Sequence, residues 1–236
     1  MKPKSIFQLA LCVVCLCALT ACQDDERQIE DIIVKYGFSR NVPPSKLYGP
    51  GSLVAKEKYD PRDVNPRSVQ LTSLCTARYS VDLYNFKPAF SDTESRDISS
   101  QFGGSFSIGA PALKTIFNLS ATARAAKSAV VTVADAKIYT YGRDELSEIR
   151  SILRPVCREA VLANIATDNA HQVLKVLEAT IELKISFDVA ANASVKAKAV
   201  TELLDAGFTV DPSSDSITTK GSALYYGVSL VPVSKI

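Results

Sequence analysis

The most regular stretch of the chain reads Ile181-Glu182-Leu183-Lys184-Ile185-Ser186-Phe187-Asp188-Val189. Apolar and polar side chains alternate along it without a break. A period of two places every apolar side chain on the same face of an extended chain. The stretch therefore predicts a β-strand with one buried face and one wet face, as is common in antiparallel sheets.

Helices are predicted on both sides of this strand. Residues 143–165 carry apolar side chains at helical spacing, and Pro155 should kink that helix or divide it in two. The alanine-rich segment 194–206 predicts a second helix, for which Gly207 supplies a C-terminal cap.

Shorter segments complete the expected architecture. A helix is predicted over 28–35, a turn-rich connector over 41–51, irregular structure over 82–100 and a turn cluster over 211–216. Further strands are predicted over 52–56, 69–76, 128–141 with a bulge or bend at Asp135 and Ala136, 208–210, and 224–233. Strands that recur between helical patterns indicate a single α+β domain with a mixed or mainly antiparallel sheet and a few packed helices.

Two further patterns concern the aromatic residues. In the terminal strand, Tyr225 and Tyr226 should face opposite sides, one of them in the core. The sequence from Phe117 to Val130 resembles the sequence from Phe187 to Val200. This similarity indicates either a structural duplication or a chance echo of low-complexity sequence.

Composition sets the class of protein. The chain has 236 residues, of which 47% are hydrophobic and 22% are charged, so it can bury a core. This composition excludes a wholly disordered chain, a collagen and a multi-span membrane protein. With 27 Lys and Arg against 25 Asp and Glu, the net charge is +2, and no nucleic-acid partner is expected.

The N-terminus has the pattern of an export signal. Lys2 and Lys4 precede an apolar segment, 6–19, that is too short to span a bilayer comfortably. The segment ends in Leu19-Thr20-Ala21-Cys22, which resembles the lipobox of bacterial lipoproteins. The resemblance implies cleavage after Ala21 and acylation of Cys22 with diacylglycerol and palmitate.

This resemblance covers only the first tenth of the chain, and the residues beyond it suggest no family. It divides the chain into a signal peptide (1–21), a short tether from lipidated Cys22 (22–27) and a periplasmic α+β domain (28–236). Because Gln23 rather than Asp follows the cysteine, the resemblance implies the periplasmic face of the outer membrane, with the inner membrane as the alternative. An uncleaved anchor and an ordinary cleaved signal are the other interpretations of the segment.

Processing would leave one pair of cysteines. Three cysteines leave with the signal peptide and Cys22 is acylated, so Cys75 and Cys157 remain in an oxidising compartment. A disulfide between them is predicted. The alternative is two buried free thiols, since free cysteine is among the most buried residues.

Candidate catalytic and metal-binding residues all have a simpler structural explanation. His171 is the only histidine and is expected in a helix start or loop, with Asp168 as the N-cap. Asp144, Glu145 and Glu148 could form a carboxylate pair for glycoside hydrolysis, but a helix N-terminus also favours them. The oxygens of 211–215 could bind calcium, but their spacing is typical of a turn. We expect no enzyme activity, cofactor or metal.

Three hypotheses about function follow. The first is a lipid-anchored, non-enzymatic binding or assembly module that holds an envelope protein or a cell-wall component. The second is a membrane-active protein that inserts an amphipathic β-hairpin, since 181–189 has the period and nearly the length of a membrane-spanning strand. The third is an envelope hydrolase that uses Asp144 or Glu148.

Overall fold

The computed structural model describes residues 29–57, 67–75, 87–212, 216–221 and 223–234. Within these ranges, seven helices and an open, mixed sheet of eleven strands form a single α+β domain. The predicted fold class is therefore confirmed. The expected signal peptide, Cys22 and the tether 22–27 lie outside the described residues.

The elements have the following bounds. The helices are α1 (29–35), α2 (Asp92–Gln101), α3 (Ala110–Phe117), α4 (Ser120–Ala125), α5 (Arg143–Ser151), α6 (Pro155–Ile165) and α7 (Ala193–Asp205). The strands are β1 (Ser39–Ser45), β2 (Leu53–Lys56), β3 (Ser68–Val69), β4 (Leu71–Cys75), β5 (Ala89–Phe90), β6 (Ser105–Gly109), β7 (Ala126–Thr140), β8 (Ala170–Phe187), β9 (Phe208–Pro212), β10 (Ser216–Gly221) and β11 (Leu224–Pro232).

The sheet is organised around β8, which contains most of the predicted alternating stretch. Along one edge β8 pairs antiparallel with β7, from Phe187 opposite Ala126 to Lys175 opposite Thr140. Its other edge has two successive partners. β11 pairs with residues 171–179, and β10 pairs with residues 182–186.

The predicted buried and solvent-facing sides are confirmed from Ile181 to Phe187, whereas Val189 lies beyond the end of β8 and is exposed. Leu183 and Ile185 are fully buried, whereas Lys184 between them is exposed. The buried face meets apolar side chains of helices α1, α2, α3, α4 and α7 in the main core. Burying each such side chain contributes about 1.5–3 kcal/mol, so this face of β8 is a principal source of stability.

The remaining strands extend the sheet from β8. β11 pairs with β1, which pairs in parallel with β3, while β10 forms an antiparallel pair with β9. β5 and β6 pair with β7, and β2 joins β4 to the beginning of β8.

Several local predictions are confirmed. The register of β7 shifts between Val133 and Asp135, where a bulge was expected. The predicted helix 143–165 is divided in two, since α5 ends at Ser151 and α6 begins at Pro155. Proline is well suited to the first position of a helix, where its missing N–H would have no partner. Gly207 has φ +85° and follows α7, as predicted for its cap. Tyr226 is buried and Tyr225 is half-buried.

Parts of two segments predicted as loops are regular structure instead. The connector expected over 41–51 overlaps β1, whose prolines lie where the pairing with β11 shifts register. The irregular structure expected over 82–100 is wrong for residues 92–100, which belong to α2. This helix is polar except for Ile98, which is fully buried, so the amphipathic pattern that would reveal it is almost absent.

Three other predictions need correction. β10 was missed, although Ile217 and Thr219 on it are buried against β8. His171 lies in β8 rather than at a helix start, and Asp168 is not an N-cap but a turn residue with φ +53°. The echo between Phe117 and Phe187 is not a duplication, since the first phenylalanine ends a helix and the second ends a strand.

Candidate functional site

A groove of about 350 Å³ opens where β8 changes partners from β11 to β10. Its walls are residues 43–46 of β1 and the following turn, residues 205–208 between α7 and β9, and the side chains of Phe117, Leu224 and Tyr226. Leu224 pairs with Ala179, the last β8 residue that contacts β11. The groove therefore follows from the topology of the sheet.

Two glycines allow the chain to form this groove. Gly207 has φ +85°, a left-handed conformation that favours glycine, and it turns the chain from α7 into β9. At Gly221, a Cβ atom would lie 2.8 Å from the Ile181 carbonyl oxygen and 3.0 Å from the Phe208 ring. Only glycine lets β10 end this close to β8 with the Phe208 ring packed beside it.

The inner wall of the groove is an aromatic pair. The rings of Phe117 and Tyr226 meet edge to face, with centroids 6.2 Å apart and planes at 82°. Such pairs prefer this geometry and contribute about 0.5–1.5 kcal/mol beyond burial. Burial raises the pKa of the Tyr226 hydroxyl, so it remains protonated.

Behind this pair lies a cavity of about 20 Å³, which is enough for one water molecule. Arg40 and Tyr226 are among its lining residues, together with apolar side chains such as Ile29 and Ile181. Arg40 Nε and the Tyr226 hydroxyl have no protein hydrogen-bond partner within the described chain. The cavity is therefore mainly apolar, with Arg40 and Tyr226 as the polar residues in its lining.

Arg40 also fixes α1 to the sheet. Its Nη1 lies 2.6 Å from Glu30 Oε1, and both side chains are almost completely buried. Its Nη2 donates a hydrogen bond to Ser68 Oγ at 3.2 Å. These contacts hold the helix, β1 and β3 in one arrangement behind the groove.

The groove is apolar inside and charged at its rim. Pro43, Pro44, Phe117, Phe208 and Leu224 supply apolar surface. The charged side chains in its lining are those of Lys46 and Asp205. Concave apolar surface with a few polar groups is the usual composition of ligand sites, so this arrangement suits a bulky apolar group that carries a polar attachment.

The sequence-predicted site residues lie elsewhere. His171 is half-buried in β8, with Val54 and Pro232 as its pairing neighbours. Its Nδ1 lies 3.1 Å from the Asn169 carbonyl oxygen, and burial lowers the pKa of the imidazole.

The predicted carboxylate cluster opens α5. Glu145 Oε2 accepts a hydrogen bond from the Gly142 backbone N–H at 2.6 Å, while Asp144 and Glu148 are exposed. Helix capping thus accounts for Glu145. Among the residues that the structure describes, no three His, Cys, Asp or Glu side chains are grouped to hold a metal ion. Residues 213–215 of the calcium candidate lie outside the described ranges.

The two predicted disulfide cysteines come together far from the groove. Cys75 ends β4 and Cys157 lies in α6, with their Cα atoms 5.5 Å apart and their sulfurs within bonding distance. This Cα separation is typical of a disulfide. Both residues belong to a small apolar cluster with Leu53, Val161 and Ala170.

Comparisons with known proteins assign no family. No protein-family model and no curated protein matches the chain. Among solved structures, it is similar to a bacterial gasdermin from Bradyrhizobium tropiciagri, with 13% identity, a TM-score of 0.38, and coverage of 86% of this chain and 88% of that one. A likeness at this level carries no argument about function. None of the described helices is both long and apolar enough to cross a membrane.

Proposed function

We propose that this protein is a lipid-anchored envelope lipoprotein that acts as a non-enzymatic binding module. The groove between β1, α7 and β11 is the observation that supports the proposal. Its volume of about 350 Å³ lies within the range of about 300–1,000 Å³ of small-molecule sites. It is the site at which an envelope partner would be held.

The chemistry of the groove favours a segment of a partner protein. The space accommodates one or two large side chains, and aromatic and proline surfaces suit an aromatic or long aliphatic group. Lys46 and Asp205 at the rim offer a donor and an acceptor for the polar backbone that carries such a group. Buried anchors of this kind, surrounded by a polar rim, dominate the energetics of most protein interfaces.

The predicted lipid anchor would hold the domain beside the membrane. Cleavage after Ala21 would leave a tether of only 22–27 before α1, which begins at residue 29 in the described chain. Two or more acyl chains on Cys22 would anchor the domain stably. The groove would then work within a short distance of the bilayer.

Photo-cross-linking in the native envelope tests the proposal. A photoreactive amino acid replaces Ala206 in the groove, and the matched control carries it at Ala163, an exposed alanine of α6. We expect one stoichiometric partner to cross-link from position 206 and not from position 163. Ala206→Trp, which fills the groove, should abolish capture, whereas Ala163→Trp should not. Equal capture from both positions would show that the groove is not the binding site.

The β7–β8 pair favours a second candidate, a membrane-active protein. The two strands are 15 and 18 residues long, which exceeds the 9–11 residues or so that span a bilayer. Their apolar face is covered by helices in the main core, so these helices would have to leave before insertion. Release of a trapped dye from liposomes by the unlipidated domain would support this candidate, and intact liposomes at micromolar protein would exclude it.

A further inference from the structure

The turn between β8 and α7 presents an apolar side chain to the solvent. Val189 is 99% exposed, and Ala190 beside it is also exposed. The Asp188 carboxylate accepts a hydrogen bond from the Ala190 backbone N–H at 2.9 Å, and the Asp188 carbonyl accepts one from Ala191 N–H at 3.0 Å. The turn is thus closed on itself with valine at its tip, a position where the fold gains nothing from an apolar residue.

Basic side chains surround this turn. Asp188 N–H donates to the Ala125 carbonyl oxygen at 2.9 Å, which places the exposed Arg124 and Lys127 beside it. Lys196 lies over the Phe187 ring, 5.2 Å from its centroid.

Further charged side chains lie slightly farther from the turn. Lys184 on β8 and Lys198 on α7 are exposed at this end of the sheet. Among the residues that the structure describes near this end, Asp188 and Asp211 are acidic, and Asp211 lies opposite Thr218 on β10. Among the described side chains, basic residues therefore outnumber acidic ones around the Val189 tip.

The length of the predicted tether would allow a lipid anchor on Cys22 to reach the same end of the molecule. Ile29, where the described chain begins, lines the inner cavity together with Val131. The β8 residues in the same lining run from Leu177 to Ile181, and Ile181 lies about 20 Å along β8 from Phe187. Residues 22–28 can span up to about 24 Å, so a lipid on Cys22 and the Val189 turn can meet one bilayer.

We propose that the turn 188–192 is a second membrane contact, in which Val189 inserts among anionic lipid headgroups and the surrounding lysines and arginine bind them. The proposal rests on the lipid anchor of the proposed function. It gives the domain a fixed orientation, with the C-terminal end of β8 against the bilayer. The end of β8 that carries Ala170 and α6 then points away from the membrane.

Site-specific fluorescence tests this orientation. Val189→Cys carries an environment-sensitive fluorophore in the lipidated protein, reconstituted in vesicles of phosphatidylethanolamine and phosphatidylglycerol. The matched control is Val156→Cys, since Val156 is 82% exposed on α6, which packs against Ala170 at the opposite end of β8. The two valines are separated by most of the length of an 18-residue strand.

The expected result is a blue-shifted emission at position 189 that spin-labelled lipids quench, with neither effect at position 156. Each basic side chain near an anionic membrane favours the bound turn about fivefold. Substituting Lys127 and Lys196 together with Gln should therefore lower the ratio of membrane-bound to membrane-free turn about 25-fold. Lys56→Gln should leave this ratio unchanged, because Lys56 is the exposed last residue of β2 and follows Ala55, which pairs with Ala170.

Each other outcome overturns the proposal. An unquenched probe at 189 in a membrane-bound protein refutes the second contact but leaves the anchor intact. Equal quenching at 189 and 156 refutes the orientation. Quenching that persists in purely zwitterionic vesicles refutes the role of anionic lipid. Loss of the protein from vesicles before any probe is read refutes the anchor itself, and this outcome is separately visible by flotation.

Discussion

The buried ion pair between Arg40 and Glu30 should respond very differently to single and double substitution. Arg40 is 5% exposed and Glu30 is 9% exposed, and the two charged groups are 2.6 Å apart. Removing one partner leaves the other charge buried without its counter-ion. Glu30→Leu alone should therefore lower the free energy of unfolding by about 3–5 kcal/mol. This is a large part of the roughly 5–15 kcal/mol that typically stabilises a domain.

Replacing both partners removes the desolvation cost of both charges. Glu30→Leu with Arg40→Met keeps approximately the same volume and should be neutral, or more stable than the native domain by about 1–4 kcal/mol. The two substitutions are thus expected to be strongly non-additive.

Urea unfolding of the mature domain at pH 7 measures these differences. The matched control is Asp31→Leu, because Asp31 on the same helix pairs with Arg67 in front of β3, where the side chains are 64% and 48% exposed. That exposed pair should contribute about 0–1 kcal/mol. If Glu30→Leu costs no more than Asp31→Leu, or if the double variant is as unstable as Glu30→Leu alone, the buried pair does not act as described.

Three further predictions concern other parts of the chain. A Cys75–Cys157 disulfide closes a loop of 82 residues, so its reduction should lower the free energy of unfolding by about 4–5 kcal/mol, as measured by urea unfolding. Two free thiols, counted under denaturant, would contradict the disulfide. Burial lowers the pKa of His171 below the 6.5 of a free imidazole, so the folded state binds fewer protons than the unfolded state at acidic pH. The free energy of unfolding should therefore fall as the pH drops below about 6.5. Nuclear magnetic resonance of the single imidazole checks its pKa, and His171→Gln should reduce the loss of stability between pH 7.5 and pH 5. Cys22→Ala should release the protein from membranes or leave it unprocessed, and unchanged fractionation would refute the anchor.

Local signals explain which elements could be predicted from the sequence. The alternation around Leu183 identifies a strand because one face is buried and the other is wet. Pro155 divides two helices because it lacks a backbone donor and clashes with the preceding turn. Gly207 ends α7 because its φ is positive. In each case one residue type or one period determines the local backbone.

The missed elements depend on contacts between distant segments. In α2, Ile98 is the single large apolar side chain that is buried, and the hydroxyl of Ser95 accepts a hydrogen bond from Ile138 N–H on β7. β1 contains two prolines that lack backbone donors, yet it is held at Arg40 and Ser45 on either side of them. Propensity argues against strand at these prolines, and tertiary pairing overrides it.

The groove could not be predicted for a related reason. Pro43, Phe117, Ala206 and Tyr226 are separated by long stretches of chain, and each has an ordinary local role in a strand or helix. The adjacent Tyr225 and Tyr226 indicated a core position but not a shared site. These four residues meet only because α3 and α7 pack against the paired strands β1 and β11.

The length of β8 explains the positions of the groove and of the Val189 turn. A strand of 18 residues is about 60 Å long, and neither β11 nor β10 covers the whole of its second edge. The two partners therefore follow one another, and the groove lies where the first ends and the second begins. Beyond β10, the strand runs on to the exposed Val189 turn.

Shortening β8 and β7 together by two paired residues would keep the inward and outward faces in register but displace this turn relative to the groove. If such a variant folds, the membrane contact and partner capture should separate, with fluorophore quenching at position 189 reduced and cross-linking from position 206 retained. Loss of both together would show that the groove and the turn are one functional surface.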